Sequence, residues 1–339
     1  MLQTILKSYN LDINAVKITP FGSGLINHTW RIEGQQQVYI LQRINDAVFK
    51  NPQNIADNIQ LIGEHLRIHS PDYLFVSPIK NTEGSEMTIS DDGFFRLFPF
   101  VEGSHSIDVV TTPEQAFEAA RQFGQFTFLL RGIEISKIKT TIPQFHDLSL
   151  RYRQFQEALV KGNKARIEEA QEWIRKIEKN VDIVHVFENI KTNTEFKLRI
   201  THHDTKISNV LFDKNDKGLC VIDLDTIMAG YFISDVGDMM RTYLSPVSEE
   251  EIDFSQITVR KDFYQAITEG YFSEMKNALT TTEKQYFAYS GEFMIYMQAL
   301  RFLTDYLNDD AYYGAKYPKH NLNRAINQLV LLHEIQLSY

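Results

Sequence analysis

Residues 202–225 run His202-His203-Asp204-Thr205-Lys206-Ile207-Ser208-Asn209, then the apolar strand Val210-Leu211-Phe212-Asp213, the turn Lys214 to Gly218, and a second strand Cys220-Val221-Ile222-Asp223-Leu224-Asp225. Two short strands of this kind hold two polar clusters together. The pattern suits phosphoryl transfer: one carboxylate orients and deprotonates a hydroxyl, while an amide oxygen and a second carboxylate hold Mg²⁺ on nucleotide phosphates. Asp204, Asn209 and Asp223 are the candidates for these three tasks. Lys206, on the same loop, is placed to offset charge on the transferring phosphate. Taken singly, each Asp or Asn reads as an ordinary turn cap. The chemistry is carried by the D-x-K-x-x-N spacing together with a following strand that ends in Asp-x-Asp. Zinc is disfavoured, because His202 and His203 are adjacent and diverge and no Cys or further His stands at ligand spacing nearby. His202 is expected to brace the loop from inside.

Upstream of this segment, Ala15 to Phe21, Thr29 to Ile32 and Val38 to Ile44 predict strands of a small antiparallel sheet. Asn51-Pro52 opens a helix with Ile55, Ile59, Ile62 and Leu66 on one face, and two further strands flank Asp91-Asp92-Gly93. Past Gly103 the pattern is helical. Thr112-Pro113-Glu114-Gln115 combines a capping hydroxyl, a proline at the first helical position and a Gln three residues after the cap. A second long helical pattern passes through Ile167, Ala170, Ile174, Ile177, Val181 and Val184, and helices return from Asp262 onward, including Tyr286 to Leu307. The expected fold is α+β: an N-terminal antiparallel sheet with a crossing helix in residues 1–102, and a larger, mostly helical part in residues 103–339.

The 339 residues carry 35 Lys+Arg against 44 Asp+Glu, a formal charge of −9, which excludes a basic nucleic-acid binder as the default. The single cysteine, Cys220, forbids an intrachain disulfide and reads as a buried small hydrophobe. No window reaches about 18 uninterrupted apolar residues, and the N-terminus lacks a signal-peptide core, so a cytoplasmic protein with no membrane or nucleic-acid partner is expected.

The same residues resemble the aminoglycoside phosphotransferase and choline kinase superfamily, relatives of the protein kinases whose catalytic loop reads H-R-D-x-K-x-x-N and whose metal site begins D-F-G. The likeness covers nearly the full chain and is closest to N-acetylhexosamine 1-kinases. It rests on Phe21-Gly22-Ser23-Gly24-Leu25-Ile26-Asn27, Tyr39 to Asn45, Asp204-Thr205-Lys206 with Asn209, Ile222-Asp223-Leu224-Asp225-Thr226, Asp235-Val236-Gly237-Asp238 with Arg241, and Arg301 to Leu307. The resemblance implies a protein-kinase-like two-lobed fold, ATP and Mg²⁺ as cofactors, Asp204 as catalytic base, Lys206 near the phosphates, and Asn209 and Asp223 as metal ligands. Asp225 stands where D-F-G has glycine and is expected behind the ligands. Asp235, Asp238 and Arg241 are expected to brace the catalytic loop.

Gly22-Ser23-Gly24 lies between two predicted strands, so its backbone amides are placed to close over phosphates; an ordinary hairpin turn reads the same, and no helix follows as a dinucleotide fold requires. The lysine that kinases carry on the third strand is absent. Gln42 and Arg43 alternate across that strand, so only one faces the nucleotide. Arg43, paired with Glu64, is the expected one, with a solvent-facing Arg43 as the alternative. Arg96 to Gly103 resembles the interlobe hinge, where Phe98 and Phe100 would flank adenine. Arg301, Asp305 and Tyr306 on a helix, with Tyr312 and Tyr313 after it, suit sugar hydroxyls and an acetamido carbonyl; the matching Arg and Tyr of the hexosamine kinases single out Arg301 and Tyr312, and His28 is placed to join them. Glu249-Glu250-Glu251 would attract a polycation or begin a solvated helix. The expected activity is ATP-dependent phosphorylation of the anomeric hydroxyl of an N-acetylhexosamine. The alternatives are a kinase of an aminoglycoside, amino alcohol or hydroxylated amino acid, and a pseudokinase that binds nucleotide without transfer.

Overall fold

The computed structural model describes residues 2–22, 26–35 and 37–339. The chain is α+β, with an antiparallel sheet near the N-terminus and helices through most of the remainder. It forms two compact units: Met1–Asp108 with Leu129–Pro143 and Ser208–Ala229, and Val109–Phe128 with Gln144–Ile207 and Gly230–Tyr339.

The first unit contains α1 (Leu2–Lys7), β1 (Lys17–Pro20), β2 (His28–Glu33), β3 (Val38–Ile44), α2 (Pro52–His69), β4 (Thr88–Ser90) and β5 (Gly93–Pro99). The strands pair antiparallel in the order β1-β2-β3-β5-β4. Side chains alternate across a pleated strand, so register decides which residues share a face. Leu41 pairs with Trp30 and Leu97, and these join Ile32 and Phe95 in a core closed by Ile5, Leu6 and Tyr9. The N-terminal helix α1, which the strand-rich reading of this region missed, exists to cover that face. The opposite face carries Thr29, Gln42 and Arg96 in one row, since Thr29 pairs with Gln42 and Gln42 with Arg96.

Helix α2 starts with proline in its first turn and buries Ile55, Ile59, Ile62 and Leu66, as the spacing predicts. Asn58 lies buried on the same side: its amide donates to Lys139 O (2.8 Å) and Ile227 O (3.0 Å) and accepts from Lys139 N–H (2.8 Å). One polar side chain thereby fastens two distant chain segments to α2. The strands Val210–Phe212 and Gly218–Val221 form a hairpin whose turn is closed by Asp213 Oδ1, which accepts the Asn215 and Lys217 N–H groups at 2.7 and 2.9 Å. Cys220 is fully buried in this hairpin, and burial pushes its thiol pKa up to about 12.

In the second unit, α3 (Pro113–Leu129) begins where the Thr112 hydroxyl accepts the Gln115 N–H at 3.3 Å. The Gln115 side chain does not complete a capping box; it accepts from Thr111 N–H at 2.9 Å. After α4 (Leu148–Lys161), the Ile167 to Val184 pattern resolves into α5 (Lys164–Glu169), α6 (Gln171–Lys179) and α7 (Asp182–Thr192), broken at Ala170 and Asn180. Burial along the stripe falls on α6, at Ile174 and Ile177, and on α7, at Ile183 and Val184, whereas α5 buries none of its residues. The remaining helices are α8 (Phe232–Tyr243), α9 (Lys261–Met275), α10 (Thr281–Gln285), α11 (Tyr289–Leu307) and α12 (His320–Ser338). Helix α11 is buried almost throughout. Its approach to α8 depends on Gly237, where an added Cβ would lie 2.2 Å from Ser290 O. This close packing fixes the helix that carries Asp235 and Asp238.

Candidate active site

The loop that follows strand Arg199–Thr201 is clamped by residues of α8. Arg199 anchors the strand through Glu283, a fully buried carboxylate, at 2.5 and 2.8 Å. The backbone then turns with φ +64° at His203, a left-handed conformation that a bulky residue holds only when its surroundings enforce it. The enforcing group is Asp235, whose two oxygens accept the backbone N–H of His202 (2.9 Å) and of His203 (2.8 Å). Thr205 is fixed at three points: its N–H donates to Asp238 Oδ2 (2.9 Å), its hydroxyl to Asp235 O (2.7 Å), and its carbonyl accepts from Tyr243 Oη (2.7 Å). Arg241 donates Nε and Nη2 to Asp238 Oδ1 at 3.0 and 2.9 Å and Nη1 to Glu249 Oε2 at 2.8 Å. Burial alone would lower the Arg241 pKa; Asp238 and Glu249 outweigh it and raise it. His202 is buried edge-on against Phe123 with ring centroids 5.2 Å apart. The bracing expected of His202, Asp235, Asp238 and Arg241 is thus present in the hydrogen bonds. Between these clamped residues, Asp204 remains partly exposed, with Lys206 Nζ 3.2 Å from its Oδ2.

Burial pushes the Asp235 carboxyl up, to about 6, against the lowering effect of the His202 and His203 N–H groups. A carboxyl that ionises less readily folded than unfolded contributes most stability when protonated, and that contribution is lost as pH rises through the folded pKa. The stability of the wild type relative to Asp235→Asn is therefore expected to fall by about 3 kcal/mol between roughly pH 4 and pH 6 and to stay level above. Urea unfolding of both proteins across this range checks it; a difference that grows with pH would contradict the assignment.

In the other unit, Asn209 and Asp223 sit on neighbouring strands of backbone, since Ile222 N–H donates to Asn209 O at 2.9 Å. Asn209 is buried and Asp223 exposed. Asp223 adopts φ +60°, ψ +61° and leads a single 3₁₀ turn, Leu224–Thr226. Asp tolerates this left-handed conformation better than most residues. Asp225 turns inward and is buried. Its Oδ1 pairs with Arg96 Nη2 at 2.5 Å and its Oδ2 accepts from Asn27 Nδ2 at 2.7 Å. Asn27 in turn accepts the Asn45 N–H at 3.0 Å, and Arg96 donates Nε and Nη2 to Gln42 Oε1 at 3.1 and 2.9 Å. Asp225 is tied to Arg96 and Asn27, and Asn209 and Asp223 are the other side chains of this segment with hard oxygen donors. An amide and a carboxylate fit Mg²⁺, which takes one or two carboxylates and completes its shell with phosphate oxygens and water. No cluster of three or more His, Cys, Asp or Glu suited to a metal occurs among the described residues.

Arg96 is the buried cation of this cluster that pattern reading overlooked. Its signal is a lone cation in the middle of an apolar strand, a position that demands partners on burial. The same register corrects the expectation for Arg43, which lies on the face of β3 that carries Leu41, beside Gly93, and forms no ion pair with Glu64; Glu64 accepts from Gln60 instead, at 3.0 Å. Gln42 holds the opposite face. Phe98 and Phe100 lie near two cations: the Arg96 guanidinium is 5.1 Å from the Phe98 centroid and that of Arg31 is 4.8 Å from Phe100, which also meets Phe21 edge-on at 6.3 Å. Gly22 has φ +80° with open space where a Cβ would be, so the chain turns there at little cost. Ser23 and Gly24 fall outside the described residues. His28 is exposed at the start of β2, its ring 6.3 Å from that of Trp30.

The second unit contains a cavity of about 350 Å³ lined by α4, α11 and the following loop, and both Arg301 and Tyr312 border it. Arg301 donates Nη1 to Gln298 Oε1 at 3.2 Å and lies 5.4 Å from the Tyr313 ring centroid. Tyr312 is 75% exposed. Asp305 and Tyr306 have other tasks than the sugar contacts expected of them. Asp305 accepts the Tyr312 and Tyr313 N–H groups at 2.7 and 2.9 Å and so shapes the tyrosine loop, while Tyr306 is buried and donates its hydroxyl to Glu169. The acidic triplet does not begin a helix. Glu249 is shared by Arg241 and Arg324, and Glu250 is met by His320 at 2.7 Å and Lys316 at 3.3 Å.

Residues 17–265 match the phosphotransferase enzyme family. Over its length the chain is also similar to solved structures. A microcompartment-associated aminopropanol kinase shares 16% identity with a TM-score of 0.67, covering 99% of this chain and 97% of that one. Spectinomycin phosphotransferase, in complex with ADP and spectinomycin, shares 15% identity with a TM-score of 0.63 and the same coverage. Choline kinase LicA from Streptococcus pneumoniae shares 13% identity with a TM-score of 0.55, covering 100% of this chain and 98% of that one. At such identities the likeness lies in the fold. No helix among the described residues is long and apolar enough to cross a membrane.

Proposed function

Because the chain belongs to the APH phosphotransferase enzyme family, we propose that it is an ATP- and Mg²⁺-dependent kinase that phosphorylates the anomeric hydroxyl of an N-acetylhexosamine. The observation that carries the kinase assignment is the clamp on residues 202–205: Asp235 and Asp238 accept the backbone N–H groups of His202, His203 and Thr205 while Asp204 between them stays partly exposed. A carboxylate held on so rigid a loop is suited to orient an acceptor hydroxyl and take its proton. Lys206, beside Asp204, supplies a cation for the phosphoryl group in flight. Asn209 and Asp223 would hold Mg²⁺, which neutralises charge on the β,γ-phosphates when bound. Gly22, Ser23 and Gly24 would cover the phosphates with backbone N–H groups, and Phe98 and Phe100 would flank the adenine. The nucleotide complexes among the similar structures support ATP as donor.

The acceptor assignment is supported by the charge around the cavity. Arg151, Lys161 and Arg301 line it against Glu157 and Asp305, and both oxygens of Asp305 are already bound to backbone N–H groups. A cationic acceptor needs converging free carboxylates; this lining favours a neutral polar molecule. Arg301 and Tyr312 would bind ring hydroxyls and the acetamido oxygen. The names of similar proteins, acting on spectinomycin, aminopropanol and choline, favour the competing acceptor class of aminoglycosides and amino alcohols, but the engaged state of Glu249 and Glu250 weakens the acidic site such substrates require.

An acceptor panel of N-acetylglucosamine, N-acetylgalactosamine, galactose, kanamycin and choline, followed by ADP release, tests both. Release is expected with the N-acetylhexosamines, giving an acid-labile 1-phosphate. Release confined to kanamycin or choline would replace the acceptor, and ATP binding without release for any acceptor across a wide panel would favour the pseudokinase.

A further inference from the structure

Kinases of this architecture pair a strand lysine with a helix glutamate to hold the nucleotide phosphates, and here β3 offers neither: Gln42 takes the inward face and Glu64 is bound to Gln60. The face of the sheet that lacks the lysine is nevertheless not without a cation. Arg96 on β5 stands directly across from Gln42, is 3% exposed, and is tethered along one edge of its guanidinium, with Nε and Nη2 on Gln42 and Nη2 also on Asp225. Its other terminal nitrogen, Nη1, is buried and has no hydrogen-bond partner among the described residues. A buried guanidinium N–H without an acceptor is costly, and here it is retained while Nε and Nη2 of the same group are held by Gln42 and Asp225, an arrangement that leaves Nη1 for a ligand. The orphan lies on the face that carries Phe98, and its anchor Asp225 is two residues from Asp223.

We infer that Arg96 is the phosphate-binding cation of the nucleotide site: Gln42 and Asp225 orient its guanidinium, and Nη1 donates to the phosphate tail of the nucleotide. The inference rests on the nucleotide-kinase assignment above and adds to it a donor on β5 in place of the missing lysine. Arg suits the task better than Lys, because a planar fork serves two anchors and a ligand at once whereas one ammonium cannot hold the same three directions. The arrangement also explains Asn27. By occupying Asp225 Oδ2, it keeps that carboxylate directed at Arg96 through Oδ1 and leaves Asp223 as the carboxylate for metal.

The test compares the affinities of ADP and adenosine, by titration calorimetry and by competition, for the wild type, Arg96→Gln and Arg96→Lys. A phosphate contact acts on ADP alone, whereas a merely structural role of Arg96 would weaken both ligands in proportion. Arg96→Gln is expected to lower ADP affinity 10- to 100-fold with adenosine within about twofold, and Arg96→Lys to recover part of the loss. Should Arg96→Gln fail to fold, as judged by circular dichroism, Arg96→Lys carries the same discriminant, with an expected drop of at least fivefold in the ADP-to-adenosine affinity ratio. An unchanged ratio in the folded variants overturns the role of Arg96. Wild-type protein that binds neither ADP nor ATP overturns the kinase assignment itself.

Discussion

Asp204→Asn is expected to lower turnover about 1,000-fold or more while leaving ADP affinity within about twofold of wild type. The substitution keeps size and hydrogen-bonding capacity but removes the proton-accepting charge. Lys206 lies 3.2 Å from the Asp204 Oδ2 and is nearly half exposed, so this ion pair contributes little stability. The backbone on either side of Asp204 is bound by Asp235 and Asp238, contacts that the substitution leaves in place. Loss of activity in this variant therefore reports chemistry rather than collapse. Sugar-dependent ADP release and nucleotide titration on the same preparation check both halves; turnover within tenfold of wild type would remove Asp204 from the role of base.

Asp238→Ala is expected to act through the opposite route, by costing about 3 kcal/mol of folding stability and most of the activity with it. Asp238 is 6% exposed at its side chain and binds Arg241, itself 16% exposed, through two N–H groups, and it also accepts the Thr205 N–H. Its removal strips a buried guanidinium of its nearer counter-ion and leaves a buried backbone donor without an acceptor. Glu249 remains to compensate Arg241 in part, which places the cost near the lower end of the range for broken buried pairs. Chemical denaturation measures it directly, and a loss below about 1 kcal/mol would show that the clamp carries no structural weight.

Much of this was legible in the sequence, and what was not has physical reasons. The strands Val38–Ile44 and Val210–Phe212 and the start of α2 at Asn51-Pro52 follow from local chemistry, as do Asp235 and Asp238, whose spacing on one helix points both carboxylates at one loop. Boundaries set by packing were harder. The Ile167 to Val184 stripe keeps helical phase across Ala170 and Asn180, so one helix and three have the same periodicity. Arg43 and Arg96 show the same limit for site residues. Alternation says that Gln42 and Arg43 face apart, but only the register between β3 and β5, a long-range property, assigns the inward face to Gln42 and sets Arg96 opposite it. Asp305 and Tyr306 were misjudged for a related reason: a carboxylate that shapes a loop and one that binds a ligand look identical until the backbone N–H groups of Tyr312 and Tyr313 are seen to claim it.

Glu249 has a consequence for the order in which the molecule matures. It bridges Arg241, behind the loop of Asp204, to Arg324 on α12. During synthesis the ribosome delivers Arg324 more than eighty residues after Arg241, so Glu249 holds only one of its two guanidinium partners until the last helix docks. The carboxylate that steadies Arg241 thus gains its second anchor only once α12 has emerged, which ties the surroundings of the Asp204 loop to the end of the chain.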